Sequence, residues 1–259
     1  MLTDNAWNRE KVMSWLGLAQ FIRNDVVRRF NLRPVYQVGH SGDGESELVF
    51  PSSRAKLCVR KVLDTLDERR SLLHRPMQWT IPTAEIADMC PNGDASQSHG
   101  YGASILVGDI IFFFSGEWSE AIIHAKVNIA VLESWVVVMI ASTWGHLFSG
   151  RKIIIRTDSA ASCFCLNKLW SKSEGMAVIC DIWEDLQHHF GFEGLVVHCK
   201  ASQNKLADVC SREKWGSVEP ALVRLLEQRG AEVDLQRVPL LWTAGNVDLR
   251  VEETVLANC

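Results

Sequence analysis

Four acids stand among apolar or small neighbours, where an unpaired charge is costly: Asp94, Glu133, Asp158 and Asp208. Glu133 lies in a run whose Ile129, Leu132, Val136 and Ile140 fall on one helical stripe, and its carboxylate points along that stripe rather than away from it. Asp158 follows an Ile-rich segment too apolar for a surface strand, and α/β sheets present their chemistry at strand C-termini. Asp208 sits in Leu206-Ala-Asp-Val-Cys210, and Asp94 precedes Ala-Ser and then Gly100-Tyr-Gly102. Carboxylates gathered in one partly buried place repel each other. Hard divalent cations such as magnesium or manganese neutralise them and keep ligand positions for water and phosphate. Singly, each acid also has a plainer role open to it. Asp94 or Asp158 caps a turn or helix, Glu133 pairs with a lysine, and Asp208 meets Arg212 one helical turn on.

The elements that must position these acids follow from periodicity and punctuation. Residues 103–107 and 110–114 are apolar runs separated by Gly108-Asp109, a hairpin signal. Asn128 caps a helix running to about Trp144, residues 152–156 form a buried strand, and residues 159–168 and 174–190 read as helices. Residues 195–198 give a further strand, and 204–212 a closing helix. A hairpin followed by strand–helix alternation implies a mixed sheet with helices packed on it. Residues 219–229 read as another helix. Trp242 with residues 247–256 suggests a strand or a docked tail, to which no function is assigned.

Before residue 80 the pattern is helical. Val12, Trp15, Leu16, Ala19 and Ile22 or Arg23 follow helical spacing over residues 7–36, with Arg28, Arg29 and Arg33 forming a basic edge ahead of Pro34. Gly39-His-Ser-Gly-Asp-Gly-Glu-Ser is a loop of turn formers; Asp43 stands where a Gly-x-Ser-x-Gly nucleophile motif needs its last glycine. A second basic helix is expected over residues 54–73, and Pro76 and Pro82 mark a boundary near residue 80.

Net charge is -4, which does not advertise a nucleic-acid binder, yet residues 1–80 hold 13 Lys/Arg against 9 Asp/Glu while the remainder holds 14 against 22. The excess of acid thus lies with the four candidates. The N-terminal residues lack a basic stretch followed by an apolar core, and the eight cysteines include no Cys-x-x-Cys pair, which predicts an intracellular, reduced protein, cytoplasmic or nuclear. Cys163 and Cys165 diverge around their helix and make poor joint zinc ligands. The longest apolar run, residues 129–141, is too short to span a bilayer and contains Glu133.

Three stretches together resemble a type 1 ribonuclease H domain, in the version carried by reverse transcriptases of retroelements, including the tyrosine-recombinase (DIRS-like) and long-terminal-repeat kinds. Asp94-Ala-Ser with Gly100-Tyr-Gly-Ala103 resembles the family's opening. Ile129-Ala-Val-Leu-Glu133, Trp144-Gly145 and Ile155-Arg-Thr-Asp158-Ser-Ala-Ala resemble its helix glutamate and second-strand aspartate. The segment from His198 through Asn204 to Ala207-Asp208-Val-Cys-Ser-Arg212 resembles its histidine loop and Ala-Asp-x-x-Ser-Arg ending. Each motif is weak alone; their order and spacing are specific.

The resemblance implies a mixed five-stranded sheet flanked by helices over residues 81–215, a mainly helical region over 1–80 and an extension over 216–259. It implies two Mg2+ (or Mn2+) ions bridged by Asp94, Glu133, Asp158 and Asp208, and cleavage of the RNA strand of an RNA–DNA hybrid. His198 matches the histidine that assists leaving-group protonation or product release; a plain strand-end histidine is the alternative. Asn204 matches the family's loop asparagine and is a candidate contact to nucleic acid. Arg23, Arg28, Arg29, Arg33, Arg60 and Lys61 are candidates for gripping the hybrid, or else an ordinary solvated face. Residues 1–80 also resemble, more faintly, the thumb and connection that precede this domain, chiefly through Trp15-Leu-Gly-Leu-Ala-Gln-Phe21, which suggests the polymerase part of a reverse transcriptase as a partner. No Tyr-x-Asp-Asp motif occurs, so this chain alone is not expected to polymerise DNA.

The departures bear on activity. Pro91-Asn-Gly93 stands where the family has an apolar strand, which predicts an early strand end and a displaced Asp94. Residues 120–127 read as an insertion, and Lys200-Ala201 replaces a Pro-Gly. A fold kept without cutting, in a retroelement remnant that binds nucleic acid or protein, is the rival reading.

Overall fold

The structure, a computed structural model, describes residues 6–25, 31–41, 48–68, 89–214, 216–229 and 234–238, and divides into two compact units, Met1–Ile81 and Pro82–Cys259.

In the first unit a two-residue strand, β1 (Trp7–Asn8), leads into α1 (Arg9–Asp25), followed by α2 (Arg33–Gly39), β2 (Leu48–Val49) and α3 (Ser53–Glu68). β1 and β2 pair antiparallel. Val12, Leu16 and Ala19, at helical spacing on α1, meet Val35 and Val38 of α2 and Val59 and Val62 of α3 in one core. The single helix expected over residues 7–36 is therefore two. Pro34 opens α2 instead of ending a helix, because a first-turn residue has no intrahelical partner for an N–H. Arg33 begins α2, and Arg60 and Lys61 lie on α3, Arg60 exposed. Arg28 and Arg29, the Arg23 side chain, residues 42–47 of the glycine-rich loop and residues 69–73 lie outside the described residues.

The second unit is built on a mixed sheet. Its strands are β3 (Asn92–Ala95), β4 (Gly100–Val107), β5 (Ile110–Glu117), β6 (Lys152–Thr157), β7 (Glu193–His198) and β8 (Asp234–Arg237), in spatial order β7-β6-β3-β4-β5-β8. β3, β4 and β5 form the antiparallel run that the hairpin signal predicts, with Val107 facing Ile110 across Gly108-Asp109. β6 joins β3 in parallel, β7 joins β6 in parallel, and β8 adds a sixth, parallel strand beyond β5. This sixth strand departs from the five-stranded expectation. Nothing in the short polar run Asp-Leu-Gln-Arg marks a strand; β5 supplies the pairing edge.

Helices α4 (Glu120–Ala125), α5 (Ile129–Trp144), α6 (Ala160–Lys168), α7 (Glu174–Phe190), α8 (Lys205–Arg212) and α9 (Val218–Glu227) flank this sheet. The segment read as an insertion is α4, capped by Ser119. α5 starts where expected, its Asn128 side chain accepting from the Ala130 N–H at 2.9 Å. α5 is buried from Val131 through Ala141, between β3 and the pair α6 and α7, while Ile129 is 40% exposed. A helix wrapped on all sides has no single apolar stripe, so the stripe read from sequence is one slice of a wholly buried element. The segment Ile129–Leu147 is long and apolar enough to cross a membrane, and it serves here as the core helix. On the other sheet face α8 lies against β3, β4 and β5, with α9 packed on α8 and its Val218 and Leu222 beside Phe113 and Cys210. α9 and β8 thus complete the sheet's second face and edge. Trp242 and residues 247–256 lie outside the described residues.

Candidate active site

β3 and β6 run parallel with Asn92 opposite Arg156, so two residues further on Asp94 and Asp158 occupy equivalent positions at the C-terminal ends of neighbouring strands. Strand alternation turns Gly93 toward α5 and Asp94 toward α8. A Cβ on Gly93 would come within 2.8 Å of Val136 Cγ1 and 2.9 Å of Ile140 Cδ1. The glycine therefore lets α5 lie directly on the strand. Pro91 precedes β3 and supplies only a carbonyl, which accepts the Arg156 N–H at 2.9 Å. The expected early strand end is overturned: β3 runs through Asp94, and the residues that looked like breakers allow the close approach. On the opposite face Gly102 plays the same part for α8, where an added Cβ would fall 2.2 Å from Cys210 Cβ.

That approach delivers Glu133 from α5. Its Oε1 accepts from the Ala95 N–H at 3.2 Å and its Oε2 from the Thr157 hydroxyl at 3.1 Å. From α8, the Ser211 hydroxyl hydrogen-bonds to Asp94 Oδ2. Asp94, Glu133 and Asp158 each offer an oxygen such that all three lie within 4.8 Å of one another. Asp94 and Glu133 are buried, at 3% and 5% exposure, and Asp158 is half-buried.

The electrostatics match the crowding. Burial, and to a smaller extent Asp158 and Asp208, pushes the Asp94 carboxyl up to about 6 against the bond from Ser211 and the charge of Arg212. Burial, with Asp94 and Asp158, pushes Glu133 up to about 8 despite the Ala95 and Thr157 donors. Two buried acids that resist losing their protons beside a third are a donor set awaiting positive charge. Oxygen-only ligands of this kind suit a hard divalent cation.

Asp208 stands apart. It raises Asp94, so it lies near the group, but it does not join the three mutually close oxygens. Its carboxylate is paired with the Arg212 guanidinium one helical turn on, with side chains 45% and 57% exposed. The plainer role open to it in the sequence is the one observed. His198 ends β7 opposite Thr157 of β6 and is exposed. Asn204 is 1% exposed, its amide donating to the Gly93 carbonyl at 2.9 Å. It is thus a tie from the start of α8 to the strand bearing Asp94. Thr157 and Ser211, which bond Glu133 and Asp94, are site residues the motifs contain but sequence reasoning passed over. Their signal was adjacency: one precedes Asp158, the other follows Asp208 by three residues. Among the described residues all seven cysteines are free thiols, and burial pushes Cys163 up to about 11 and Cys210 up to about 12, unlike thiolates that ligate metal.

The fold of this unit is a mixed six-stranded sheet flanked by helices on both faces. No family model matches the chain, and no curated protein matches it. Among solved structures it is similar to RNase H1 from the halophilic archaeon Halobacterium salinarum NRC-1, at 12% identity and a TM-score of 0.38, over 51% of this chain and 98% of that one. In this unit the acids come from three layers: two from the ends of sheet strands, one from α5 and the outlying one from α8.

Proposed function

We propose that the Pro82–Cys259 unit is a metal-dependent endonuclease that hydrolyses the RNA strand of RNA–DNA hybrids and derives from a retroelement reverse transcriptase. The observation that carries this is the Asp94–Glu133–Asp158 group, three carboxylate oxygens within 4.8 Å in a setting that raises two of the acids. These residues would hold Mg2+ or Mn2+, with Asp208 available for a second ion. Such ions, when bound, supply the positive charge and Lewis acidity that phosphodiester cleavage needs.

The chain's own part is placement. Thr157 and the Ala95 N–H fix both oxygens of Glu133, Ser211 fixes one of Asp94, and Asn204 anchors the strand between them. His198, exposed at the end of the strand next to β6, would be the candidate to assist the leaving 3′ oxygen. Arg60, exposed on α3 of the first unit, would supply sequence-independent attraction for phosphates.

One observation favours the rival reading of a scaffold that binds without cutting: Asp208 is held by Arg212. The test offers the whole chain an RNA–DNA hybrid, duplex DNA and single-stranded RNA in Mg2+ or Mn2+, with Asp158→Asn beside it. Cleavage confined to the RNA of the hybrid and absent in the variant supports the enzyme; binding without cleavage by both supports the scaffold.

A further inference from the structure

Asp208 and Arg212 lie at i and i+4 on α8, with the acid N-terminal, the favourable order for such a pair. Arg212 also sits in the last turn of its helix, where the macrodipole holds a cation. Its guanidinium is stabilised in the charged form first by the bond and charge of Asp208 and to a smaller extent by Asp94 and Asp158. It is therefore a fixed positive charge at the rim of a group that already strains to keep three carboxylates together. Bringing Asp208 into that group adds a fourth negative charge, and it requires the pair to open.

We propose that Arg212 is a positioning residue that keeps Asp208 outside the three-carboxylate group, so that a second divalent cation binds only by competing with the guanidinium for Asp208. This rests on the metal reading of Asp94, Glu133 and Asp158. The pair is half-exposed, which makes it breakable: a solvent-screened ion pair is easily displaced by a divalent charge. Occupancy of the second position thus becomes the weaker and more salt-dependent event, while the first position, made by buried oxygens with fixed donors, is formed in advance.

The test is calorimetric titration of the whole chain with Mn2+ at two ionic strengths. Wild type is expected to bind one ion tightly and another weakly. Arg212→Gln is expected to tighten the weaker event by roughly fivefold and to alter the tighter one and the thermal midpoint far less. Arg212→Lys keeps the charge and should stay close to wild type. In an Asp208→Asn background, Arg212→Gln should leave the isotherm unchanged, and raised salt should shrink the difference in the native background. Equal tightening in the Asp208→Asn background would show a general charge effect and overturn the pairing role. So would a weaker event unaltered by Arg212→Gln, while the metal reading stood. A wild-type chain that binds no Mn2+ would remove the metal reading and this inference together.

Discussion

Asp94 and Asp208 carry the same side chain into one neighbourhood and meet opposite conditions. Asp94 lies in a strand, 3% exposed, with one oxygen bound by Ser211 and its backbone clamped between Asn204 and the α5 contact. Asp208 lies on a helix, about half exposed, with a guanidinium for company. What separates them is the element underneath. A strand end packed between two helices cannot yield, so its acid is forced to share space with Glu133 and Asp158. An acid on the outer face of α8 satisfies its charge locally, with the residue one turn on.

The comparison breaks most sharply at the forced group. Asp158→Asn or Glu133→Gln is expected to lower hybrid cleavage on the order of 10³-fold, read in single-turnover assays, with the fold retained by circular dichroism.

Next in size is the pH dependence of the metal-free chain. The folded values for Glu133, about 8, and Asp94, about 6, lie above their ordinary values of 4.5 and 3.8. Between those limits the folded chain holds protons that the unfolded chain has released. Their contribution is therefore fully present below about pH 4 and is lost as pH rises to about 8, by an amount on the order of a few kcal/mol. Urea unfolding measures it. Glu133→Gln should remove the larger part of the slope, Asp208→Asn should lower it only slightly, and saturating Mg2+ should flatten it.

Gly93→Ala tests the clamp itself. Its new methyl meets Val136 and Ile140 at under 3 Å, so a loss of about 1–3 kcal/mol is expected in the same unfolding experiment, together with lost cleavage. Ser211→Ala removes the donor on Asp94 and should weaken Mn2+ binding by about tenfold with little change in stability. The smallest effect belongs to the first unit. Arg60→Ala with Lys61→Ala should weaken hybrid binding severalfold and lower its salt slope by about one per residue, without altering cleavage at saturation.

Much of the second unit was legible because its signals are local. Asn128 and Ser159 cap where polar residues precede apolar runs, and the Ile-rich β6 is bounded by turn formers. What escaped was long-range. Pro91-Asn92-Gly93 reads as a breaker because nothing in the sequence says that α5 will lie against Gly93. β8 has no strand pattern of its own and takes its form from β5. The fate of Asp208 was visible only as an option, since the contest between Arg212 and a shared metal group is decided by which side of α8 faces the sheet.

The most direct test of the account is Mn2+ binding at equilibrium by wild type, Asp158→Asn and Asp208→Asn, followed by calorimetry or by the spin resonance of free Mn2+. A tight ion in wild type that is lost in Asp158→Asn and kept in Asp208→Asn is the result expected of a preformed three-carboxylate site. A tight ion that survives Asp158→Asn, or none in wild type, would contradict it.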